Sequence, residues 1–199
     1  MVKENIMKRD SQNTMQQAPT AMQGAKLQLK ICGMKYQNNI ESVAGLQPNY
    51  LGFIFYEDTP RHFDTKIPKI SDNIKKTGVF VNAEIGTIVE KANEFKLDAI
   101  QLHGEESPYF CSILRSTKLF TGDKPVEIIK VFSVKEGFNF EVLEQYENVC
   151  DYYLFDTKGK LPGGNGYTFN WSLLNDYLST KPFFLSGGIG LDQIDAIKK

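Results

Sequence analysis

The sequence lacks the features that mark membrane proteins, secreted proteins and nucleic-acid-binding proteins. No apolar run reaches the length that spans a membrane. The 23 basic residues nearly balance the 24 acidic ones, for a net charge of −1, so neither nucleic acid nor an anionic membrane is expected as the main partner. With 41% hydrophobic residues among 199, the composition is typical of one globular domain with a substantial core.

Cysteine is scarce, and the N-terminus has no apolar block. The three cysteines, at positions 32, 111 and 150, are odd in number and lack the spacing of metal ligands. We therefore expect no metal site and a reducing, cytoplasmic location. Residues 1–24 are polar and are not a secretory signal. They predict a disordered leader, or an upstream start before a true one near Met22, with residues 25–199 forming a single domain.

From Leu27 onward, short apolar runs alternate with amphipathic segments. Seven strand–helix units can be traced, with strands in "LQLKICG", "YLGFIFY", "TGVFVN", "LDAIQLHG", "PVEIIKVFSV", "CDYYLFDTK" and "PFFLSGGI". The helices between them include a weaker one near "KISDNIKK" and one with Ser107 as N-cap and Pro108 in its first turn. Strict alternation predicts an α/β fold with a parallel sheet and right-handed crossovers.

Two architectures fit a parallel sheet of this kind, namely an open doubly wound sheet and a closed (β/α) barrel. Strands of an open sheet lie under helices on both faces and tend to be apolar throughout. Here polar side chains recur at the strand ends on one side: Lys30, Cys32, Asn82, Gln101, His103, Lys130 and Asp156. This pattern favours a barrel with a polar interior and a site at its C-terminal face. Such barrels have eight units, so the eighth strand–helix unit is missing from this interpretation.

Cys32 and Asp156 are the side chains best suited to acid–base chemistry. A thiol makes a useful general base because its free pKa of about 8.5 is close to neutral, and Lys30 on the same side would stabilise the thiolate. Taken alone, Cys32 is better explained as a buried structural thiol, as we expect for Cys111 and Cys150. A carboxylate that ends an apolar strand needs a partner or a function. Partial burial is expected to raise the pKa of Asp156 and let it donate a proton; a cap or loop tether is the alternative.

Two glycine-rich loops and one basic loop suggest where an anion would bind. "PGGNG", residues 162–166, and "SGGIG", residues 186–190, follow the last two traced strands. Glycines there either make turns or let backbone N–H groups converge on a phosphate. Arg61 follows the second strand and suits a carboxylate or a phosphate, unless it is simply solvated. For His103, a hydrogen bond to a nearby carbonyl is slightly favoured over a chemical role.

Taken together, these segments resemble the phosphoribosylanthranilate isomerase family of tryptophan biosynthesis. The matching blocks run in order from residue 27 to 199: "LKICGM", "LGFIFYEDTPRHF", "GVFVN", "LDAIQLHGEE", "LFDTKGKLPGGNGYTFNWSLL" and "FFLSGGI". The resemblance implies a (β/α)8 TIM barrel. It also implies an Amadori rearrangement of N-(5-phosphoribosyl)anthranilate to 1-(2-carboxyphenylamino)-1-deoxyribulose 5-phosphate.

The resemblance also assigns roles to residues. Cys32 matches the family's general base, Asp156 its general acid and Arg61 the arginine at the anthranilate end. The remaining positions are expected to bind substrate, chiefly at its phosphate: His103, Gly164, Gly166, Ser186, Gly187 and Gly188. No metal or organic cofactor is implied, because the protonated Schiff base of the substrate is itself the electron sink. The expected partner is a phosphorylated small molecule, and association with other enzymes of the tryptophan pathway is left open.

One departure from the family keeps alternatives open. The family's eighth strand, and the serine–glycine loop that completes its phosphate site, have no counterpart in this sequence. We expect that the sequence is a shortened form of a full enzyme, rather than a natural chain that ends early with unpaired edge strands. The alternative functions are another phosphosugar-isomerising barrel and a non-catalytic, incomplete barrel that binds sugar phosphate.

Overall fold

Seven parallel strands form the frame of the part of the chain that the structure, a computed structural model, describes. That part comprises residues 27–121, 123–157 and 170–193, so the predicted leader, Gly164 and Gly166 lie outside it. The strands are β1 (Lys30–Cys32), β2 (Tyr50–Ile54), β3 (Lys75–Phe80), β4 (Ala99–Leu102), β5 (Glu127–Val134), β6 (Tyr152–Thr157) and β7 (Phe183–Leu185).

The connections between strands are three α-helices, a separate antiparallel pair of two-residue strands at Phe120–Thr121 and Lys124–Pro125, and several irregular segments. The helices are α1 (Gln37–Ala44), α2 (Ile85–Phe95) and α3 (Pro108–Ser116), and 3₁₀-helices span Phe140–Tyr146, Trp171–Asp176 and Leu191–Gln193. Within the described ranges, no helix is long and apolar enough to cross a membrane. The strands pair in chain order, β1-β2-β3-β4-β5-β6-β7, and every pair is parallel. The predicted parallel α/β sheet is therefore confirmed.

The sheet is rolled up rather than open. The rings of Tyr50 on β2 and Phe184 on β7 lie 5.2 Å apart, edge to face. Five strand spacings separate these strands in the sheet order, which would amount to about 24 Å in a flat sheet. The Tyr50 hydroxyl also donates a hydrogen bond of 3.1 Å to Glu127 at the start of β5. These contacts across the interior exclude the open doubly wound sheet and support the barrel.

The inner and outer faces of the rolled sheet differ in their contents. The inner face carries its own apolar cluster, which includes Tyr50, Ile129 and Leu154. The helices cover the outer face with two larger clusters. In the pairing register, Cys32 lies opposite Gly52, Gly52 opposite Thr77 and Thr77 opposite Ala99. Residues paired in register point to the same face of a sheet, and Ala99 belongs to the inner cluster, so Cys32 lies on the inner face.

Two residues predicted to extend the polar interior do not do so. Lys130 pairs in register with Leu102 and Tyr153, which belong to the cluster outside the sheet. The ammonium group of Lys130 is therefore buried beneath the outer layer, where it meets a carboxylate. Asn82 follows β3 in a left-handed conformation with φ of 50°. Its side-chain oxygen accepts a hydrogen bond from the backbone N–H of Glu105, so Asn82 fastens two loops together.

The helix cap predicted at Ser107 is present in the structure, whereas the weakest predicted helix is absent from it. The Ser107 side chain accepts a hydrogen bond of 3.2 Å from the N–H of Phe110, which confirms the predicted N-cap. The weak helix predicted near "KISDNIKK" is wrong, because residues 63–74 form no helix before β3 begins. Pro68 lacks an N–H to donate, and the Ser71 hydroxyl accepts from the Asn73 N–H in a local turn.

Candidate active site

Cys32 ends β1 beside a glycine that leaves room for its side chain. The thiol is exposed and lies opposite Gly52 on β2. A Cβ atom added to Gly52 would lie 2.6 Å from the Cys32 Sγ and 3.1 Å from the Lys30 Nζ. The thiol and the ammonium group therefore share the space above Gly52, no farther apart than the sum of these distances. The predicted placement of Lys30 and Cys32 on one side of the strand is confirmed.

The Arg61 side chain lies directly beside the residue that follows Cys32. A Cβ atom on Gly33 would lie 3.0 Å from the Arg61 Cδ and 3.4 Å from one of its guanidinium nitrogens. Gly33 has φ of 87°, and its N–H donates to the Gly52 carbonyl. Lys35 donates to the Pro60 carbonyl at 3.1 Å and ties the two loops together. The guanidinium is thus held at the mouth of the barrel near the thiol.

Asp156, near the C-terminal end of β6, forms the second part of the site. It lies opposite Ser133 in the register, two residues from Val131 of the inner cluster, so it too faces the interior. Only 6% of Asp156 is exposed. The His103 Nε2 lies 3.5 Å from a carboxylate oxygen of Asp156, and the Ser186 hydroxyl hydrogen-bonds the same carboxylate. The structure therefore brings residues after β4, on β6 and after β7 together.

The surroundings of Asp156 correct two predictions made from the sequence. Burial alone would raise the pKa of the carboxyl, but the hydrogen bonds from His103 and Ser186 outweigh burial and hold the pKa below its ordinary value. The expected rise in pKa is therefore wrong, and Asp156 is ionised at neutral pH in this arrangement. For His103, the favoured hydrogen bond to a nearby carbonyl is also wrong. Its Nε2 faces the Asp156 carboxylate and its Nδ1 lies 3.2 Å from the Gln101 amide nitrogen.

The loop after β7 requires glycine for both conformation and space. Gly187 and Gly188 have φ of 91° and 64°, in the left-handed region that side chains disfavour. A Cβ atom on Gly187 would collide with the Thr157 side chain at the end of β6. The Ser186 N–H donates to the Phe155 carbonyl at 2.8 Å. The loop is therefore pressed against the end of β6, next to Asp156.

The predicted residues thus form two groups on the same inner face. Cys32, Lys30 and Arg61 lie at the ends of β1 and β2, and Asp156, His103 and Ser186 at the ends of β4, β6 and β7. A cavity of about 290 Å³ opens beside the end of β4 and the middle of β5, and its lining comes from both faces of the sheet: His103, Lys130, Ser133 and Tyr146. The other two cysteines do not contribute. Cys111 and Cys150 are buried, and burial raises the pKa of their thiols to about 11 and about 12.

Two further residues shape the site but did not stand out in the sequence. Gly52 leaves room for the Cys32 thiol. A glycine inside a strand often marks a place where another group approaches the backbone closely, and this signal could have identified Gly52. Glu106, in the loop after β4, accepts hydrogen bonds from the backbone N–H groups of Asn82 and Gly104 and pairs with Lys130. No local pattern marks Glu106, because two of its three partners, Asn82 and Lys130, are each 24 residues away in the sequence.

Comparisons with known proteins agree with this geometry. Residues 29–199 match the family model described as N-(5'-phosphoribosyl)anthranilate isomerase. A protein of that name from Parabacteroides distasonis is 41% identical over 178 residues, which cover 85% of this chain and 76% of the relative.

Solved structures show the same fold. The crystal structure of phosphoribosyl anthranilate isomerase from Thermus thermophilus matches with a TM-score of 0.70 at 22% identity, over 86% of this chain and 82% of that one. A second structure of such an isomerase, in complex with reduced 1-(o-carboxyphenylamino)-1-deoxyribulose 5-phosphate, matches with a TM-score of 0.64 at 24% identity, over 86% and 80% of the two chains.

Proposed function

This chain belongs to the phosphoribosylanthranilate isomerase family of tryptophan biosynthesis, and on that premise we propose that Cys32 and Asp156 carry out its Amadori rearrangement as general base and general acid. The observation that supports these roles is that both side chains line the inner face of one rolled sheet at its C-terminal end. An acid and a base on different strands can act on opposite parts of one small sugar held between them.

The acid step opens the ribose ring of the substrate. A proton passes to the ring oxygen, the bond between that oxygen and the first carbon breaks, and the anthranilate nitrogen's lone pair forms the protonated Schiff base. Because Asp156 is held as a carboxylate by its neighbours, it needs a proton before it can donate one. The His103–Asp156 pair, joined at 3.5 Å, is the unit that carries this proton and delivers it through Asp156.

The base step converts the Schiff base into the product. The Cys32 thiolate removes the proton from the second carbon of the sugar, and the electron pair moves into the Schiff base to give an enolamine. Loss of the hydroxyl proton and protonation of the first carbon then give the ketone. Lys30, which shares the space above Gly52 with the thiol, stabilises the thiolate electrostatically. An exposed thiol at a strand end also has a clear path to the substrate.

The two ends of the substrate are both anionic and need different partners. We assign the anthranilate carboxylate to Arg61, whose planar guanidinium suits bidentate contact with a carboxylate and lies on the Cys32 side of the site. We assign the phosphate to the loop of Ser186, Gly187 and Gly188, whose backbone N–H groups suit an anion. Gly164 and Gly166 share this assignment, although they lie outside the described residues.

The architecture and setting of the enzyme complete the proposal. The seven described strands belong to an eight-stranded barrel, in which the closing strand would lie between β1 and β7. The rolled shape of the sheet supports this assignment. A cytoplasmic location suits a thiol base, because reducing conditions keep Cys32 free of disulfides. Association with other tryptophan-pathway enzymes stays a prediction, to be tested by co-purification.

Turnover by matched variants tests the assigned roles. Purified protein is given N-(5-phosphoribosyl)anthranilate, and the loss of its fluorescence is followed. Cys32→Ala and Asp156→Asn should each lower kcat by about 10²- to 10⁴-fold, as for loss of a general acid or base. Cys111→Ala and Asp151→Asn, at buried or strand-start positions away from the site, are the controls. Variants at Cys32 or Asp156 with near wild-type kcat would contradict the assignment, and binding without turnover by the unaltered chain would support the non-catalytic alternative.

A further inference from the structure

A buried ion pair lies behind the active site and outside the barrel interior. The Lys130 Nζ lies 3.1 Å from a Glu106 carboxylate oxygen, and the two residues are only 2% and 5% exposed. Lys130 projects from β5 toward the outer layer, so its charge does not point into the interior where the substrate would bind. Removing two charges from water is costly, and apolar residues of similar volume often serve stability equally well. The pair therefore needs an explanation beyond stability.

The ion pair holds the backbone on both sides of His103. The Lys130 ammonium donates to the Leu102 carbonyl at 3.4 Å and to the Gly104 carbonyl at 2.8 Å. The Glu106 carboxylate accepts the Gly104 N–H at 3.0 Å. The peptide groups before and after His103 are thus both bound by the pair. The N–H of His103 itself donates to the Phe80 carbonyl at 2.8 Å, so the backbone of this residue has little freedom to shift.

A second strand end is fastened to the same carboxylate. Glu106 accepts the N–H of Asn82 at 2.9 Å, and the Asn82 side-chain oxygen accepts the N–H of Glu105 at 2.7 Å. Gly104 is packed so closely that a Cβ atom on it would collide with Asn82. The irregular turn after β4 is therefore joined to the end of β3 and to the middle of β5. Without the pair, the buried Leu102 carbonyl and the half-buried peptide groups of Gly104 would lose these partners, which is costly inside a protein.

Resting on the proposed function, we propose that Lys130 and Glu106 are positioning residues, which fix the turn after β4 so that the His103 ring stays against Asp156. The ammonium is suited to this task because its three N–H donors can bind several carbonyls of one turn, and the carboxylate can accept several N–H groups. Apolar replacements of Lys130 and Glu106 would fill the same volume but would not form these hydrogen bonds to the turn around His103. The pair thus acts on the proton-carrying unit without contacting the substrate.

A double-mutant cycle tests whether the pair acts through His103. Glu106→Gln keeps the size of the side chain and should lower kcat by about 10- to 100-fold, as expected when a catalytic pair is displaced by about 1 Å. KM should change by less than about twofold, since the substrate contacts are untouched. In a His103→Asn background, the same substitution should cost less than about a further twofold in kcat. Glu127→Gln breaks a Lys–Glu pair at the opposite end of β5 and is the matched control, which should leave kcat unchanged.

A second measurement needs no activity. The chain has two histidines, His62 and His103, so each is resolved in the NMR spectrum of isotope-labelled imidazole rings. The His103 ring resonances should move in Glu106→Gln while those of His62 stay in place, and Glu127→Gln should move neither. Should Glu106→Gln fold poorly, the apolar double variant Lys130→Met/Glu106→Met removes both charges together and should displace the same His103 signals.

The outcomes separate this proposal from the proposed function. Unmoved His103 resonances, or an equal loss of kcat in the wild-type and His103→Asn backgrounds, would overturn the positioning role even if the wild-type enzyme is fully active. A wild-type chain without isomerase activity would overturn the proposed function, while the NMR result would still decide whether the pair holds His103. The proposal would be supported if Glu106→Gln moves the His103 resonances and no longer lowers kcat in the His103→Asn background.

Discussion

A single added methyl group at Gly52 should disable the thiol while leaving the fold in place. Gly52 lies opposite Cys32 in the register, and the Cβ of Gly52→Ala would lie 2.6 Å from the Cys32 Sγ and 3.1 Å from the Lys30 Nζ. Ordinary van der Waals contact between such atoms requires roughly 3.5–4.0 Å. The thiol must therefore retreat by roughly 1 Å, and the ammonium beside it must also move.

The two consequences of this displacement differ in size. A shift of about 1 Å in a reacting group costs about 100-fold in rate, so kcat of Gly52→Ala should fall by about two orders of magnitude. Overpacking a well-filled site costs about 1–3 kcal/mol. We expect the lower end of that range, because Cys32 is exposed and can move outward. Activity should therefore be lost under conditions where the variant remains folded.

The measurement pairs turnover with stability. The fluorescence assay gives kcat and KM, and urea unfolding gives the free energy of unfolding. Gly86→Ala, on an exposed turn of α2 where an added Cβ would meet nothing within 4 Å, is the matched control and should keep full activity with unchanged or higher stability. If Gly52→Ala kept near wild-type kcat while its fold was intact, the thiol could not be the base at the position described.

Two further predictions concern thiols and pH. A thiol reagent added to native protein should modify Cys32 rapidly, and Cys111 and Cys150 only on unfolding. The latter two are buried, and burial raises the pKa of their thiols to about 11 and about 12. Fast modification of more than one thiol per chain would contradict this. The pKa of Asp156 is lowered in the folded state, so its contribution to stability is present above its unfolded pKa and lost as the pH falls through the folded value. His103→Ala removes a main cause of that shift, so the loss of unfolding free energy in this variant should be largest near neutral pH and shrink in acid. Urea unfolding at a series of pH values measures this loss. An equal loss at every pH would refute the assignment.

The Cys32 and Asp156 positions could be read from the sequence because they depend on local geometry. Side chains alternate along a strand, and the ends of parallel strands meet at one edge of a sheet. The same reasoning failed for Lys130, since its polarity suggested the interior while its place between Ile129 and Val131, both of the inner cluster, puts it on the outer face. A buried lysine is stable there because the Glu106 carboxylate is brought to it from another loop and backbone carbonyls accept its N–H groups.

The ionisation of Asp156 could not be read from the sequence at all. Its direction depends on His103 and Ser186, which the chain reaches from two other strands. Burial alone predicted a raised pKa, and only the partners reverse that prediction. The weak helix before β3 failed for a related reason, because Pro68 and the Ser71 turn compete locally with a pattern that was itself faint.

The sequence by itself determined the alternation of strands and helices, the strand ends at which the thiol and the carboxylate stand, and the glycines that permit the tight loops. These are properties of neighbouring residues, set by backbone geometry and side-chain periodicity. The tertiary structure confirmed the rolled sheet that the polar pattern favoured. It alone decided which neighbours surround the thiol and the carboxylate, and therefore the direction in which the pKa of Asp156 is shifted. Burial and electrostatic interaction depend on distance in space, and folding brings together residues that the linear order keeps far apart.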